Sequence, residues 1–297
     1  MPRGVPKNGY RMTSKRKRLG RAAGFVPGKA QVMAEEVPAI STETDAEIEA
    51  KLAERFDILE MMTGAAVDGE ANALIVSGPA GLGKSFTVEQ KLAEWDPTES
   101  NHAIIKGFVR ATGLYRALYQ FREEGQVIVF DDADSIFFDD VALNLLKAVC
   151  DTNEKRRVSW LTEGTMIDED SGEKLPRGFE FKGTIVFITN YDFDSMIAKG
   201  HKLAPHLQAL MSRAHYIDLA MKTKRDYIIR IKQVVKAGLL KKSGLNDKQA
   251  LEVVEFIEEN AERMRELSLR MALKLGAIRK INADWKKVAR VTCVKNA

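Results

Sequence analysis

The sequence predicts an α/β fold in which a parallel sheet lies between helices and a smaller, all-helical region follows. Three observations support this prediction. Short runs that are apolar throughout alternate with helical stretches, as in parallel sheets that are covered on both faces. A strand-like run at 73–76 leads directly into a glycine-rich turn. Beyond about Thr223 the strand-like runs stop, and only helical stretches follow.

The first predicted element is a helix that runs to about Met62, since Ser41 to Asp45 can cap it and its apolar residues Ile48, Leu52, Phe56 and Leu59 share one face. Gly64 and Gly69 are expected to end this helix. The expected strands are 73–76, 103–106, 126–130, 184–189 and 216–219. The expected further helices are 85–94, 112–124, 141–151, 204–211, 224–237, 247–264, 268–279 and 284–291. The predicted domains are therefore a basic arm and linker (1–40), an α/β domain (41–222) and a small helical domain (223–297).

The composition is that of an ordinary globular protein. Of the 297 residues, 45% are hydrophobic and 30% are charged, so a sizeable core can be buried. No apolar run approaches the length of about 18 residues that a membrane span needs, and the first residues lack the apolar centre of a secretion signal. Cys150 and Cys293 lie far apart, which predicts neither a disulfide framework nor a metal site. We therefore expect a cytoplasmic protein, in the host cytoplasm if it is viral.

Positive charge is concentrated at the start of the chain. Residues 1–30 hold nine basic and no acidic residues, whereas the whole chain has a net charge of +4. The segment is also rich in proline and glycine, so it cannot bury enough apolar surface to fold alone and is predicted to be a disordered arm. Such arms attract phosphate backbones without reading sequence. A tail that only aids solubility and a targeting signal are the alternatives.

The glycine-rich turn carries the chemistry of a phosphate-binding loop. Residues 78–85 fit the pattern G-x-x-x-x-G-K-[ST], with a strand before them and a helical stretch after them. Glycines let backbone N–H groups surround phosphate oxygens, and the helix N-terminus favours the negative charge. Lys84 is expected to neutralise the β- and γ-phosphates, and Ser85 to bind Mg²⁺. The residues assigned to nucleotide binding are Gly78, Pro79, Ala80, Gly81, Leu82, Gly83, Lys84, Ser85 and Phe86.

Two later strands end in polar side chains that suit the same site. The apolar run 127–130 ends in Asp131 and Asp132, at the edge of the sheet where such folds bind ligands. Asp131 is the expected Mg²⁺ partner, and Asp132 the residue that orients or activates the attacking water. The run 184–189 ends in Asn190, which is assigned either to the water or to the γ-phosphate.

On these residues the chain resembles the AAA+ superfamily of P-loop ATPases over roughly residues 45–285. The loop 78–85 is similar to Walker A, 127–132 to Walker B, and the strand ending at Asn190 to sensor 1. The resemblance implies that Arg213 is an arginine finger that reaches the nucleotide of a neighbouring subunit, with a surface salt bridge as the alternative. It implies that Arg270 is sensor 2, although other arginines lie nearby. It also implies ATP and Mg²⁺ as cofactors and a parallel sheet followed by a helical lid.

The sequence departs from the family in Walker B, where Asp131-Asp132 stands in place of the usual Asp-Glu. The second carboxylate is shorter by one methylene, so we expect slow or partner-stimulated hydrolysis. A β-hairpin is predicted at about 157–183, before sensor 1. In related rings such hairpins lie near the pore or against a neighbour, where Lys174 and Arg177 would meet a threaded polymer; a hairpin that only caps the sheet edge is the alternative. Phe108 is either a pore residue or a core residue.

The function predicted from these features is ATP hydrolysis at the subunit interfaces of a ring or spiral of identical chains, with a hexamer expected. The basic arm favours DNA as the substrate, in replication, recombination or packaging. Compact AAA+ proteins are frequent in bacteriophages, so the resemblance favours a phage-type protein of DNA metabolism. A protein remodeller with a protein partner is the second hypothesis. A nucleotide-dependent scaffold that hydrolyses little is the third, and the Asp131-Asp132 pair keeps it open.

Overall fold

The computed structural model describes residues 43–162, 164, 166–167, 172–281 and 284–295. By its contacts the chain divides into residues 1–39 and 40–297, and the first of these units lies outside the described residues. The predicted disordered arm at 1–40 falls almost wholly in that unit, so its expected disorder stays a prediction. No helix in the described ranges is both long enough and apolar enough to cross a lipid bilayer.

The described chain opens with a helix of 23 residues, α1 (Asp45–Val67). Its N-terminus is held by a capping box, in which the Thr44 hydroxyl accepts from the Glu47 N–H and the Glu47 carboxylate accepts from the Thr44 N–H. The prediction that Gly64 ends this helix was wrong. The helix continues to Val67 and stops before Gly69, whose φ of 78° is left-handed. Burial of the last turn offsets the cost of about 1 kcal/mol for a glycine within a helix.

Five parallel strands form the central sheet, and each begins and ends within one residue of its predicted bounds. Two further strands, β4 and β5, form a separate antiparallel pair. In chain order the strands are β1 (Ala73–Ser77), β2 (His102–Lys106), β3 (Val127–Asp131), β4 (Arg157–Ser159), β5 (Gly178–Glu180), β6 (Thr184–Thr189) and β7 (His215–Asp218). The order across the central sheet is β2-β3-β6-β1-β7. The strand β6, late in the chain, therefore lies between β1 and β3.

Helices cover both faces of this sheet: α2 (Lys84–Trp95), α3 (Ala111–Gln120), α4 (Asp140–Val149), α5 (Phe193–Ala198) and α6 (Ala204–Met211). Along β3, Ile128 and Phe130 belong to the core beneath α3 and α4, whereas Val127 and Val129 belong to the core beneath α1 and α2. Because both faces are buried, the strands are apolar throughout. The predicted fold class, α/β with a P-loop sheet between helices, is confirmed. The predicted helix at 112–124 ends four residues early, at Gln120.

A helical region with its own apolar core follows the last strand. Its helices are α7 (Lys224–Lys236), α8 (Leu239–Lys242), α9 (Asp247–Glu259), α10 (Leu269–Ile281) and α11 (Trp285–Cys293). The predicted helix at 247–264 was too long, since α9 ends at Glu259. Met264 lies in an extended bridge with Val294, and both residues are buried. We call residues 223–295 the lid.

The pair β4–β5 is the base of a hairpin between α4 and β6. Phe179 of β5 packs edge-on against Tyr115 and Tyr119 of α3, with ring centroids 5.2 and 5.3 Å apart. The buried Arg156 donates to the carbonyls of Val149 and Gly183, which fixes the start of β4 against the sheet. Part of the hairpin tip, at 163, 165 and 168–171, lies outside the described residues.

Candidate functional site

The strand order brings three chain segments to one edge of the sheet. Ser77 at the end of β1 is in register with Thr189 at the end of β6, and Asp131 at the end of β3 is in register with Ile188. The glycine-rich loop after β1, the acidic pair at the end of β3 and Asn190 after β6 are therefore neighbours. Sequence positions about 50 residues apart meet because parallel strands end at the same edge.

The loop 78–83 needs glycine at two positions, because a neighbouring residue lies too close at each of them for a side chain. At Gly78 (φ 151°) an added Cβ would lie 3.0 Å from Cβ of Leu219, and at Gly81 (φ 75°) it would lie 2.7 Å from Cβ of Ser268. Both values are too short for a side chain without movement. Of the other assigned loop residues, Ala80 is exposed, whereas Leu82 is buried in the core and so anchors the loop.

Lys84 is buried at the first turn of α2 and lies at the centre of the site. Its Nζ donates to the carbonyls of Gly78 and Pro79 and, at 2.9 Å, to Oδ1 of Asn190. Burial lowers the pKa of Lys84 to about 8, against the opposing effect of the nearby carboxylates. A buried cation held by carbonyl oxygens is well placed to exchange these partners for phosphate oxygens.

Ser85 and Asp131 form a hard-oxygen pair beside Lys84. The Ser85 Oγ donates to Oδ1 of the buried Asp131 at 2.8 Å. A hydroxyl and a carboxylate at this spacing suit Mg²⁺, which prefers oxygen ligands and binds to proteins through few of them. The other oxygen of Asp131 lies 3.2 Å from Nζ of Lys106, which also donates to Glu89 at 2.6 Å. Sequence reasoning missed Lys106, although its place at the end of the neighbouring strand β2 is a usable signal.

Asp132 is held in a strained backbone conformation. Its φ is 53°, in the left-handed region that residues other than glycine seldom adopt. Its N–H donates to the Ile188 carbonyl at 3.0 Å, and its Oδ1 accepts from Nδ2 of Asn190 at 2.7 Å. The Asn190 side chain therefore joins Lys84 to Asp132. Such strain collects at functional sites, where surrounding contacts fix it.

A third carboxylate, Asp134, lies behind Asp132 and was not assigned from sequence. Its Oδ1 accepts from Oγ1 of Thr189 at 2.6 Å, so it ties the end of β6 to the loop after β3. Burial raises the pKa of Asp134 to about 6, and the nearby Asp132 adds to the effect. The carboxyl edge is thus cross-linked by three bonds between the segment after β3 and the residues at the end of β6, Ile188, Thr189 and Asn190.

The lid meets the glycine loop at the start of α10. The Leu269 N–H donates to the Gly81 carbonyl at 2.8 Å, and Ser268 packs on Gly81. Arg270 is exposed and close enough to Lys84 for the two positive charges to repel. Arg230 of α7, which sequence reasoning also missed, lies near Gly83 with its guanidinium 3.4 Å above the Phe56 ring. Arg230 belongs to none of the sequence motifs, so its place beside the glycine loop could not be predicted.

The structure does not bring Arg213 to the site of its own chain. Arg213 precedes the first residue of β7, at the amino edge of the sheet, whereas the glycine loop follows the carboxyl end of β1. Its guanidinium donates to the Ala209 carbonyl at 2.7 Å and acts electrostatically on Cys150. The salt bridge weighed as the alternative is absent from the ion pairs of the described residues.

Two aromatic residues point away from the interior. Phe86 is 59% exposed on α2, with Nζ of Lys242 lying 5.7 Å from its ring centroid. Phe108 is 75% exposed, so the alternative that it is a core residue is wrong. The segment that carries Phe108 is fixed at Val109, whose N–H and carbonyl both bond to the Ser135 hydroxyl just after Walker B. Lys174 and Arg177 of the hairpin are also exposed.

No family model matches the chain. It is similar to an uncharacterized 36.7 kDa protein in the nrdC–mobD intergenic region of Enterobacteria phage T4, with 38% identity over 246 residues, 82% of this chain and 74% of the phage protein. Among solved structures it is similar to Thermotoga maritima RuvB, a Holliday junction branch migration motor (18% identity, 84% of this chain, 69% of RuvB, TM-score 0.44). Domain III of the Thermotoga maritima replication initiation protein DnaA is similar too (14%, 80% and 90%, TM-score 0.44).

Both TM-scores lie below 0.5, so the fold assignment depends on the sheet and the site themselves. The sheet order β2-β3-β6-β1-β7 places sensor 1 between Walker A and Walker B, and a helical lid touches the phosphate loop. These features match what the resemblance implies for Walker A, Walker B and the lid. The sheet order and the phosphate loop are thus those that the resemblance to the AAA+ superfamily implies, and at 38% identity over 82% of its length the chain belongs to the same family as this phage T4 protein.

Proposed function

We propose that this protein hydrolyses ATP at the interfaces of an assembly of its own copies and uses the energy to act on DNA. The observation that carries the proposal is the convergence of Lys84, the Ser85–Asp131 pair and the Asn190–Asp132 pair at one sheet edge. A buried cation, an oxygen pair suited to Mg²⁺ and a fixed carboxylate are the parts that phosphoryl transfer to water requires.

Each part has a role in the proposed reaction. Lys84 binds β- and γ-phosphate oxygens, and the amides of the glycine loop bind the remaining phosphate charge. Ser85 and Asp131 would hold Mg²⁺, which would supply further neutralisation of the phosphates. Asp132 orients the attacking water and receives its proton, while Asn190 fixes the carboxylate through the bond to Oδ1. These groups are held by the fold before substrate binds, which is the main source of electrostatic catalysis.

The arrangement also supports catalysis between subunits. Arg213 lies at the sheet edge opposite to the phosphate loop, so within one chain it cannot reach the γ-phosphate. A head-to-tail contact between copies brings the amino edge of one sheet to the carboxyl edge of the next. Such heterologous contacts close into rings or open into helical filaments. We propose a ring or spiral, with six subunits as the expected number.

DNA is proposed as the substrate because residues 1–30 hold nine basic and no acidic residues. The exposure of Phe108 favours a second candidate, a protein remodeller, since that segment carries pore residues in the superfamily. A third candidate is a scaffold that hydrolyses little, which the short Asp132 side chain favours.

A subunit-mixing experiment tests the proposal. Arg213→Ala has an intact phosphate site and lacks the finger, whereas Asp132→Asn keeps the finger and lacks the carboxylate. Each variant alone should hydrolyse ATP slowly, and an equimolar mixture should regain part of the rate if Arg213 acts between subunits. A mixture as inactive as its components would contradict the assembly.

The substrate is tested by the ATPase rate per subunit with and without DNA at two salt concentrations. A rate that rises with protein concentration and with DNA supports the motor. A rate that ignores DNA but rises with an unfolded protein favours the remodeller. A rate that is low throughout and unchanged in Asp132→Asn favours the scaffold.

A further inference from the structure

The charges of the folded chain are divided between its two parts. Residues 41–222 hold 31 acidic and 19 basic residues, whereas residues 223–297 hold 9 acidic and 18 basic residues. Within the lid the basic residues are concentrated at the end, where residues 263–295 contain ten basic and two acidic residues. A phosphate backbone would therefore be repelled by the α/β part and attracted by the last helices of the lid.

Five exposed cations lie on α11 and beside the bridge between Met264 and Val294, and we call them the lid cation cluster: Arg263, Arg265, Lys287, Arg290 and Lys295. The bridge between Met264 and Val294 brings the two ends of the cluster side by side. In that bridge the Lys295 N–H donates to the Arg263 carbonyl at 2.7 Å, and the Arg265 N–H to the Cys293 carbonyl at 2.9 Å.

The bridge also sets the direction of these side chains. Met264 is buried, so the residues on either side of it, Arg263 and Arg265, face outward. On α11 the inner face is formed by Trp285, Ala289 and Cys293, which leaves Lys287 and Arg290, three residues apart, as neighbours on the outer face.

Among the residues that the structure describes, these cations form no ion pair. The ion pairs of lid cations between described residues are Lys224–Glu262, Arg225–Asp45, Lys232–Glu258, Lys241–Asp247 and Arg279–Glu252. None of them involves the lid cation cluster. Two exposed aliphatic residues, Val288 (38% exposed) and Val291 (70% exposed), each follow one of the cations directly on α11. An outer face of unpaired cations with small apolar side chains is suited to a sugar–phosphate backbone.

We infer that the lid cation cluster is a second nucleic-acid contact of this protein, which binds the phosphate backbone of DNA without reading its sequence. This inference deepens the proposed action on DNA and rests on it. It places the contact on the folded lid, apart from the basic arm.

The position of the cluster links it to the nucleotide. Arg265 is three residues before Ser268, which packs on Gly81, and the next residue, Leu269, bonds to the Gly81 carbonyl. A movement of the glycine loop on nucleotide binding is therefore passed to Arg263 and Arg265 through a short, directly bonded segment. DNA affinity should accordingly differ between the ATP-bound and ADP-bound protein.

The first test compares two triple variants of the full chain that lose equal charge. One is Lys287→Gln, Arg290→Gln and Lys295→Gln; the matched control is Lys232→Gln, Lys236→Gln and Lys241→Gln on α7 and α8. Binding to a fluorescent duplex is measured over a range of salt concentrations. The cluster variant should lower the slope of log K against log salt by about 2 to 3, because each phosphate contact contributes about 0.9. The control should leave the slope close to the parent value.

The second test needs only one substitution and so does not depend on how well a triple variant folds. The photo-crosslinking amino acid benzoylphenylalanine replaces Val291 in one protein and Leu251, 58% exposed on the acidic helix α9, in the control. Crosslinks to DNA from position 291 and not from 251 support the inference. Crosslinks from 291 to a second copy of the chain would overturn it and assign the cluster to the subunit interface.

The outcomes separate this inference from the proposed function. If the full chain binds DNA with an unchanged slope in the cluster variant and position 291 does not crosslink to it, the inference fails and DNA action stands. If the full chain binds no DNA in any nucleotide state, both fail.

Discussion

The nucleotide site has two walls that are built in different ways. The core wall consists of Lys84, Ser85 and the residues at the ends of β3 and β6, and the lid wall consists of the start of α10. On the core wall polar side chains bond to one another, as Lys84 does to Asn190 and Ser85 to Asp131. On the lid wall the contact is one backbone hydrogen bond from Leu269 and the packing of Ser268 on Gly81. The core wall is therefore organised before substrate binds, whereas the lid wall can separate at small cost. Core substitutions should lower the rate, and at Lys84 the affinity for ATP as well, whereas lid substitutions should change mainly the affinity.

The largest effect is expected from Lys84→Met. It should abolish measurable ATP binding and lower hydrolysis by at least about 10²–10³-fold, because a buried charge aimed at the phosphates is lost. The fold should not suffer, since burial already lowers the pKa of Lys84 to about 8 and so opposes its charge. Titration with a fluorescent ATP analogue and thermal melting check both statements. Lys91→Met on the same helix is the control. An equal loss of ATP binding in this control would contradict the role assigned to Lys84.

Asp132→Asn should lower kcat by about 10²–10⁴-fold while the Kd for ATP stays nearly constant. Asparagine tolerates the left-handed backbone at this position, so the change is confined to the carboxylate. The complementary variant Asp132→Glu restores the missing methylene and should hydrolyse faster than the parent. Single-turnover measurements of the hydrolysis rate test both expectations. An unchanged rate in Asp132→Asn would show that another group activates the water, and the contrast between the two walls would then not hold.

Gly81→Ala tests the lid wall and should weaken ATP binding by about 10-fold. The new methyl group would lie 2.7 Å from Cβ of Ser268, and the φ of 75° adds a cost of about 1–2 kcal/mol. The rate at saturating ATP should fall less than the affinity. The double variant Gly81→Ala, Ser268→Gly removes the clash but not the strain, so it should regain part of the affinity. If the affinity for ATP does not recover, the contact between Ser268 of the lid and Gly81 of the loop does not control it.

The smallest effect, on stability, is expected from Asp134→Asn. The folded pKa of about 6 lies above the unfolded value, so the carboxyl favours folding below pH 4 and this contribution is lost as pH rises towards 6 and above. At pH 7 the variant should be more stable by about 2 kcal/mol, and at pH 4 the two should agree. Denaturant titrations at both pH values measure this. A variant that is less stable at pH 7 would show that the bond from Thr189 outweighs the burial of charge.

Much of the fold could be predicted because the strands are buried on both faces. Continuous apolar runs such as 184–189 leave little choice of element, and they gave bounds within one residue. The ends of helices could be predicted less well. Gly64 was expected to end α1, but this position has ordinary helical surroundings, where even an added Cβ would meet only Lys91, at 3.8 Å, and the helix continues through it. Short helices such as α5 and α8 carry too few residues to show a period.

The candidate site also contains residues that the sequence predicts and residues that it does not. Local patterns suggested Lys84, Asp131 and Asn190, because each follows a recognisable strand. The place of Lys106 at the end of the strand β2 is a signal that sequence reasoning could have used. Asp134 and Arg230 depend on contacts between segments that are distant in sequence, so composition and spacing do not predict their roles. The opposite placement of Arg213 could be foreseen only by knowing which edge of the sheet it precedes.

The helix α1 has a mechanical consequence. It spans about 34 Å at 1.5 Å per residue, packs on the sheet through Leu59 and Ala66, and is held to the lid at its start by the 2.7 Å bond from Arg225 to Asp45. The helix therefore acts as a strut that joins the start of the lid at one end to the amino edge of the sheet, where β1 begins, at the other.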